Sequence, residues 1–150
     1  MKSLLRTLAS LVLAALLPAC ISLDSTQWRR VHEQTCALDE HWVVRDTLYF
    51  GLSMVAEDGS VSIIGEDDWE RFENEVLSSA FPSGYTVLKA HGAWRNASGV
   101  HRTEPARVVV VLHSDDPASE AAITDTIRRY RERFRQESVL REHVGVCMSL

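Results

Sequence analysis

Six stretches of the chain carry a hydrophobic signal strong enough to predict an element. Trp42-Val43-Val44 and Leu48-Tyr49-Phe50 are dense in β-branched and aromatic residues, which predicts a first strand over residues 45–54. Glu57-Asp58-Gly59-Ser60 follows as a turn cluster. Trp69, Phe72, Val76, Leu77 and Ala80 then recur on one helical face, giving a helix over 67–80, with Asp67 and Glu70 spaced as a capping box. Phe81-Pro82-Ser83-Gly84 stops it, since proline disfavours helical geometry before it and glycine permits the turn. Residues 85–94 read as a second strand and 106–113 as a third, joined through Asn96-Ala97-Ser98-Gly99 as a hairpin. The third strand holds five consecutive Val/Leu residues from Val108 to Leu112, a run that belongs in the middle of a sheet. Asp115-Asp116-Pro117 opens a second helix, whose buried face is Ile123, Ile127, Tyr130 and Phe134. Residues 138–146 close the pattern as a fourth strand, with Leu140, Val144 and Val146 on one side and Arg141 and His143 on the other.

The order β-α-β-β-α-β predicts an α+β fold, a ferredoxin-like split βαβ with a four-stranded antiparallel sheet and both helices on one face. Strands one and three would be central, and they are the two most apolar strands. Strand four would run antiparallel beside strand one, carrying Cys147 toward the residues that precede strand one, where Cys36 lies. A disulfide between them would close a loop of about 110 residues, worth roughly 4–5 kcal/mol on the chain-entropy argument.

The amino terminus reads as an address. Lys2 and Arg6 form a positive region, residues 8–17 are almost unbroken apolar, and small Ala19 precedes Cys20. The apolar run is about half the roughly twenty residues a spanning helix needs. Leu17-Pro18-Ala19-Cys20 resembles the lipobox of bacterial lipoproteins, with Pro18 as a departure. That resemblance implies a signal peptide over 1–19, a diacylglycerol on Cys20, a tether over 20–40, and a single domain over 41–150. More than one acyl chain would anchor the protein stably to the membrane. Ile21 and Ser22 follow the cysteine, which points to the periplasmic face of an outer membrane. Such a compartment is oxidising, and removing Cys20 from the three cysteines leaves Cys36 and Cys147 as a pair.

Composition narrows the partners. The chain has 150 residues, 45% apolar and 25% charged, enough for one domain with a real core. Net charge is −5 and becomes about −7 without Lys2 and Arg6, which disfavours nucleic acid. Arg128, Arg129, Arg131, Arg133 and Arg135 are interleaved with Glu132 on the second helix and read as a solvated face.

Thr47-Leu48-Tyr49-Phe50-Gly51, Phe81-Pro82-x-Gly84-x-Thr86-Val87, Gly92-x-Trp94-Arg95 and Gln136-Glu137-Ser138-Val139-Leu140-Arg141 resemble the blocks of a bacterial family of small exported proteins. That family is known only as a domain of unknown function. The resemblance covers the chain from about Cys36 to its carboxyl end and implies a shared fold and export, with no reaction attached.

No phosphate-binding glycine loop, G-x-S-x-G elbow, H-E-x-x-H or paired C-x-x-C is present, so no cofactor or metal is expected. His32-x-x-x-Cys36 and His143-x-x-x-Cys147 could suggest a zinc site, but residues four apart on a strand are about 13 Å distant, too far to share one ion. The expected ligand face is the helix-free side of the sheet. Tyr49, Trp94, Arg95, Arg107 and Arg141 are its candidate occupants: arginine forks for a carboxylate or phosphate, aromatic rings for stacking. The plainer reading, which the sequence favours, pairs the arginines with Glu104 and Glu142 and packs the aromatics in the core or a homodimer interface. Gln136 and Ser138 join the candidates through the family blocks. The resulting expectation is a non-enzymatic envelope lipoprotein that binds a ligand or partner on that face as a homodimer. The rival is a small hydrolase or isomerase using Tyr49, His91, Glu104 and Arg141, with His91 and Glu104 facing each other as an acid/base pair.

Overall fold

Alternation along residues 41–51 decides how the sheet is built. In the computed structural model, which describes residues 36–56, 58–95 and 98–150, strand β1 (His41–Gly51) buries Val44, Asp46, Leu48 and Phe50 on one side and turns Arg45, Thr47 and Tyr49 to the other. Strands β2 (Ser53–Val55) and β3 (Val61–Ile63) form a separate two-stranded hairpin. Helix α1 starts at Glu66 and runs unbroken to Ala80, α-helical over Glu66–Phe72, widened into a π turn over Glu73–Leu77 and α-helical again over Ser78–Ala80. Then come β4 (Thr86–Arg95), β5 (His101–His113), α2 (Pro117–Phe134) and β6 (Leu140–Met148).

The main sheet has the order β4-β5-β1-β6, every neighbour antiparallel. The chain is therefore an α+β protein with a four-stranded antiparallel sheet and two helices, and the two most apolar strands are the central ones. Phe50 of β1 is the hub of the core. Its ring lies 5.7 Å from Trp69 and 6.0 Å from Phe72 in α1, and 4.5 Å from Tyr130 in α2. All are tilted or edge-on, the arrangement that favours aromatic pairs by about 0.5–1.5 kcal/mol each beyond area burial. Leu48, Val109, Val111 and Ile123 complete the same cluster.

Several boundaries differ from the sequence pattern. The expected strand over 45–54 starts earlier, at His41, and ends at Gly51, because Leu52 leaves the ladder to donate to Pro105 O and accept from Ile64 N. The β2–β3 hairpin adds two strands that the six-element reading lacks: the Val61-Ser62-Ile63 alternation is short, and all three residues are exposed, so it marks no buried face. The capping box at Asp67 does not form: Gly65 is the N-cap with no side-chain bond, and Glu66, Asp67 and Asp68 act through the helix dipole. Helix α2 begins as read, with Asp116 Oδ1 accepting from Ala118 N and Ser119 N, both at 2.9 Å. It ends on Arg135 in the left-handed region, φ 50°.

Cys36 and Cys147 are joined, their Cα atoms 5.5 Å apart, and β1–β6 pairing sets Trp42 opposite Cys147. The disulfide engages both thiols that a zinc site would need as thiolates. Lys2, Arg6, Cys20 and His32 lie outside the described residues. No helix among the described residues is long and apolar enough to cross a membrane.

Candidate functional site

On the Tyr49 side of the sheet, small residues meet where β4 and β5 pair with the end of β1. Ala90 lies opposite Ala106, and Ala106 opposite Gly51. A floor that low leaves a cavity of about 610 Å³. Tyr49, Val108 and Gly92 extend the floor, while Trp94, Ser53 and the α2–β6 connection from Arg135 to Ser138 stand around the rim.

Glu104 is the polar centre of this cavity. It is only 7% exposed. Its Oε1 accepts from Trp94 Nε1 at 2.6 Å and its Oε2 from Ser53 N at 2.8 Å. The carboxylate lies against the Gly51 backbone so closely that a Cβ there would come within 2.5 Å of Oε1. Gly51 does not have a positive φ, so this glycine supplies space rather than conformational freedom. Among the described residues, no Lys, Arg or His forms an ion pair with Glu104.

The rim is fixed by side chains. Gln136 Nε2 donates to Ser53 O at 2.9 Å and to Phe134 O at 3.3 Å, tying the α2–β6 connection to β2. Tyr49 Oη donates to Glu142 at 2.8 Å. That bond to a carboxylate pushes the phenol above its ordinary value, so Tyr49 keeps its proton and acts as a donor. Ser138 stands at the cavity wall.

Three expected arginines are elsewhere. Arg95 donates to Gly99 O at 3.2 Å across the β4–β5 turn. Arg107 pairs in register with Phe50 and so projects from the Phe50 side, 5.7 Å over the Trp69 ring and 2.5 Å from Glu66. Arg141 pairs with Leu48 and lies on the same side, where it meets Asp46 and Glu120. Among the described residues, neither Glu104 nor Glu142 takes an arginine. Alternation on β6 was read correctly, but its polar row, Arg141 and His143, shares the Phe50 side, because buried Asp46 draws both. The expected His91–Glu104 pair does not form either: Gly92 is opposite Glu104, and His91 is opposite Pro105 on the other side of the ladder.

Asp46 is the second buried acid, fully enclosed. Arg141 grips it with two bonds, Nε to Oδ1 at 2.7 Å and Nη2 to Oδ2 at 2.8 Å. His113 Nε2 lies at 2.8 Å and His143 Nδ1 at 3.0 Å. Burial pushes this carboxyl up, but the bonds from Arg141, His113 and His143 and the charge of Arg141 outweigh it and hold the group below the ordinary carboxylate range.

Gly51, Ser53, Ala90 and Ala106 were missed as site residues from sequence, whereas Glu137 belongs to the Gln136-Glu137-Ser138 segment already read as a candidate. The alternation of small Ala90 and Gly92 on β4, with Ala106 opposite Ala90, was the available signal, since small side chains on paired strands leave a hollow that larger ones would fill.

Fold and cavity together define a small α+β protein with a ligand-sized hollow on one side of an antiparallel sheet. The chain belongs to the family described as Protein of unknown function (DUF3574), which matches residues 45–150. No curated protein matches it. Among solved structures it is similar to a phage SAM lyase in complex with S-methyl-5'-thioadenosine, with 16% identity, 72% of this chain and 90% of that one covered, and a TM-score of 0.52. The apo state of a phage SAM lyase aligns at 14% identity over 73% of this chain and 90% of that one, with a TM-score of 0.45.

Proposed function

We propose that the domain is a binding module for a small molecule, held in the cavity on the Tyr49 side of the sheet. The observation that carries this reading is a hollow of about 610 Å³ lined by Glu104, Trp94 and Tyr49, within the roughly 300–1,000 Å³ of small-molecule sites and with the same mix of apolar floor and few polar groups. In this reading the fold is ferredoxin-like, both helices cover the Phe50 side, and the ligand sits on the helix-free side. Ligand-observed NMR of a fragment library tests it. Hits on the wild-type protein that disappear in Ala90→Trp, which fills the floor, support the reading; a library with no hit sensitive to that substitution rejects it.

Leu88, Leu112, Leu140 and Val144 leave the Tyr49 side apolar and exposed around the cavity, consistent with a homodimer that light scattering would detect. The address proposed with this module is an exported chain anchored by lipid on Cys20. Labelled palmitate should enter the wild-type chain and not Cys20→Ser.

A second reading takes support from the fold likeness to a phage SAM lyase bound to S-methyl-5'-thioadenosine. Here the cavity is an active site for SAM. Mass spectrometry for S-methyl-5'-thioadenosine after incubation with SAM decides it: product formation beyond the spontaneous rate, lost in Ala90→Trp, favours the enzyme. The hydrolase or isomerase set of Tyr49, His91, Glu104 and Arg141 has no such support: Arg141 lies on the Phe50 side, and His91, although it borders the cavity, is on the opposite row of β4 from Ala90 and Gly92.

A further inference from the structure

Resting on the binding reading above, we infer that the cavity selects a compact organic cation whose charge settles on Glu104. The carboxylate is nearly excluded from water, yet its two partners are neutral N–H groups, the Trp94 indole and the Ser53 backbone. A neutral acceptor would satisfy those donors equally well, so they do not explain a charged side chain. Burying a charge without an opposite charge is costly. The chain nevertheless keeps Gly51 without a side chain so that this carboxylate can lie over it.

Among the described residues, no cation completes the pair. Arg107 is engaged by Glu66 on the far side of the sheet. Arg135 lines the cavity but is exposed on the rim and forms no ion pair with Glu104. Glu137, also on the rim, adds a second acid. Each oxygen of Glu104 accepts one hydrogen bond from the protein, which leaves lone pairs for a ligand. Tyr49 in the floor and Trp94 on the rim supply aromatic surface to the same cavity, the surface that favours ammonium and related cations over neutral molecules of equal shape.

The experiment uses matched probes on the full chain by NMR titration at fixed ionic strength, reading the Trp94 indole N–H and the Gly51 and Gly92 amides. Choline is compared with its neutral carbon isostere, and butylammonium with butanol. At least one cation should bind about tenfold more tightly than its neutral partner, and Glu104→Gln should reduce that preference to within about twofold. Equal binding within both pairs, or a preference that survives Glu104→Gln, overturns the inference. The comparison within the wild-type protein stands even if the variant fails to fold. If neutral fragments occupy the cavity while neither cation does, the cation inference fails and the binding reading survives. If neither fragments nor probes bind there, both fall.

Discussion

The central strands each carry a buried acid, and the two are treated in opposite ways. Asp46 of β1 lies on the Phe50 side, gripped by both arms of the Arg141 guanidinium and flanked by two histidines, with Glu120 holding Arg141 from α2. Glu104 of β5 lies on the Tyr49 side, where its partners among the described residues are two neutral donors. The first is a closed network in which Asp46 and Glu120 share Arg141 inside the protein, and such networks fix structure. The second leaves its charge for something else to answer. On the binding reading proposed above, the difference separates an acid that serves the fold from one that serves a ligand, without appeal to any motif.

Breaking the closed network should have the largest effect. Asp46→Asn leaves Arg141 partly buried with half its partners, and removal of one member of a buried pair costs about 3–5 kcal/mol. Chemical denaturation should show that loss, whereas a change under about 1 kcal/mol would put Asp46 in the same class as Glu104. The same network predicts a pH dependence. The Asp46 carboxyl sits below its unfolded value near 3.8, so its contribution is fully present above about pH 4 and is lost as pH falls through the folded value. Glu120, lowered chiefly by its bonds to Arg141, acts in the same direction. Melting temperature should therefore hold level from neutral pH to about pH 4.5, the unfolded value of Glu120, and then drop, with a shallower drop in Asp46→Asn.

The disulfide closes the chain at the Asp46 end of the β1–β6 pair. Its reduction, or the double substitution of Cys36 and Cys147 by serine, should cost about 2–4 kcal/mol. A loss confined to that end should leave fragment binding in the cavity intact, and an NMR titration of the reduced protein checks this. If the cavity were lost as well, the two ends would not be separable.

What was legible in the sequence follows this division. Elements whose pattern is set by one dominant force were readable: β5 from its unbroken Val/Leu run, α2 from Asp116, Pro117 and its apolar stripe, and the cysteine pair from the topology that brings β6 beside β1. The faces of the polar residues were not. Arg107 and Arg141 look like surface groups because nothing local shows that Glu66, Glu120 and Asp46, distant in sequence, will wait for them on the packed side. Gln136 and Ser138 were found through family blocks rather than chemistry. The role of Gly51 depends on a carboxylate from a residue 53 positions away in the chain, a close approach visible only in three dimensions.

Gly51→Ala probes that approach directly. Its Cβ would meet the Glu104 carboxylate at 2.5 Å, and the carboxylate can swing only by giving up Trp94 or Ser53. Lost hydrogen bonds and displaced packing place the cost at about 1–3 kcal/mol. The Trp94 indole N–H resonance should move, and an unshifted resonance would mean that the carboxylate is not where its two bonds place it.

Glu104→Gln should have the smallest effect on stability and so sharpens the comparison most. A glutamine oxygen can keep one of the two donors, while its NH2 group faces the other donor, so about one hydrogen bond is lost, near 1 kcal/mol. Against that stands the relief of a buried charge that no cation answers, which acts in the opposite direction. The net change expected in denaturation is therefore within about 1 kcal/mol of zero, far below that of Asp46→Asn although both substitutions replace a buried carboxylate by its amide. Equal losses from the two would show that Glu104 is held as firmly as Asp46 and that its charge belongs to the fold rather than to a ligand.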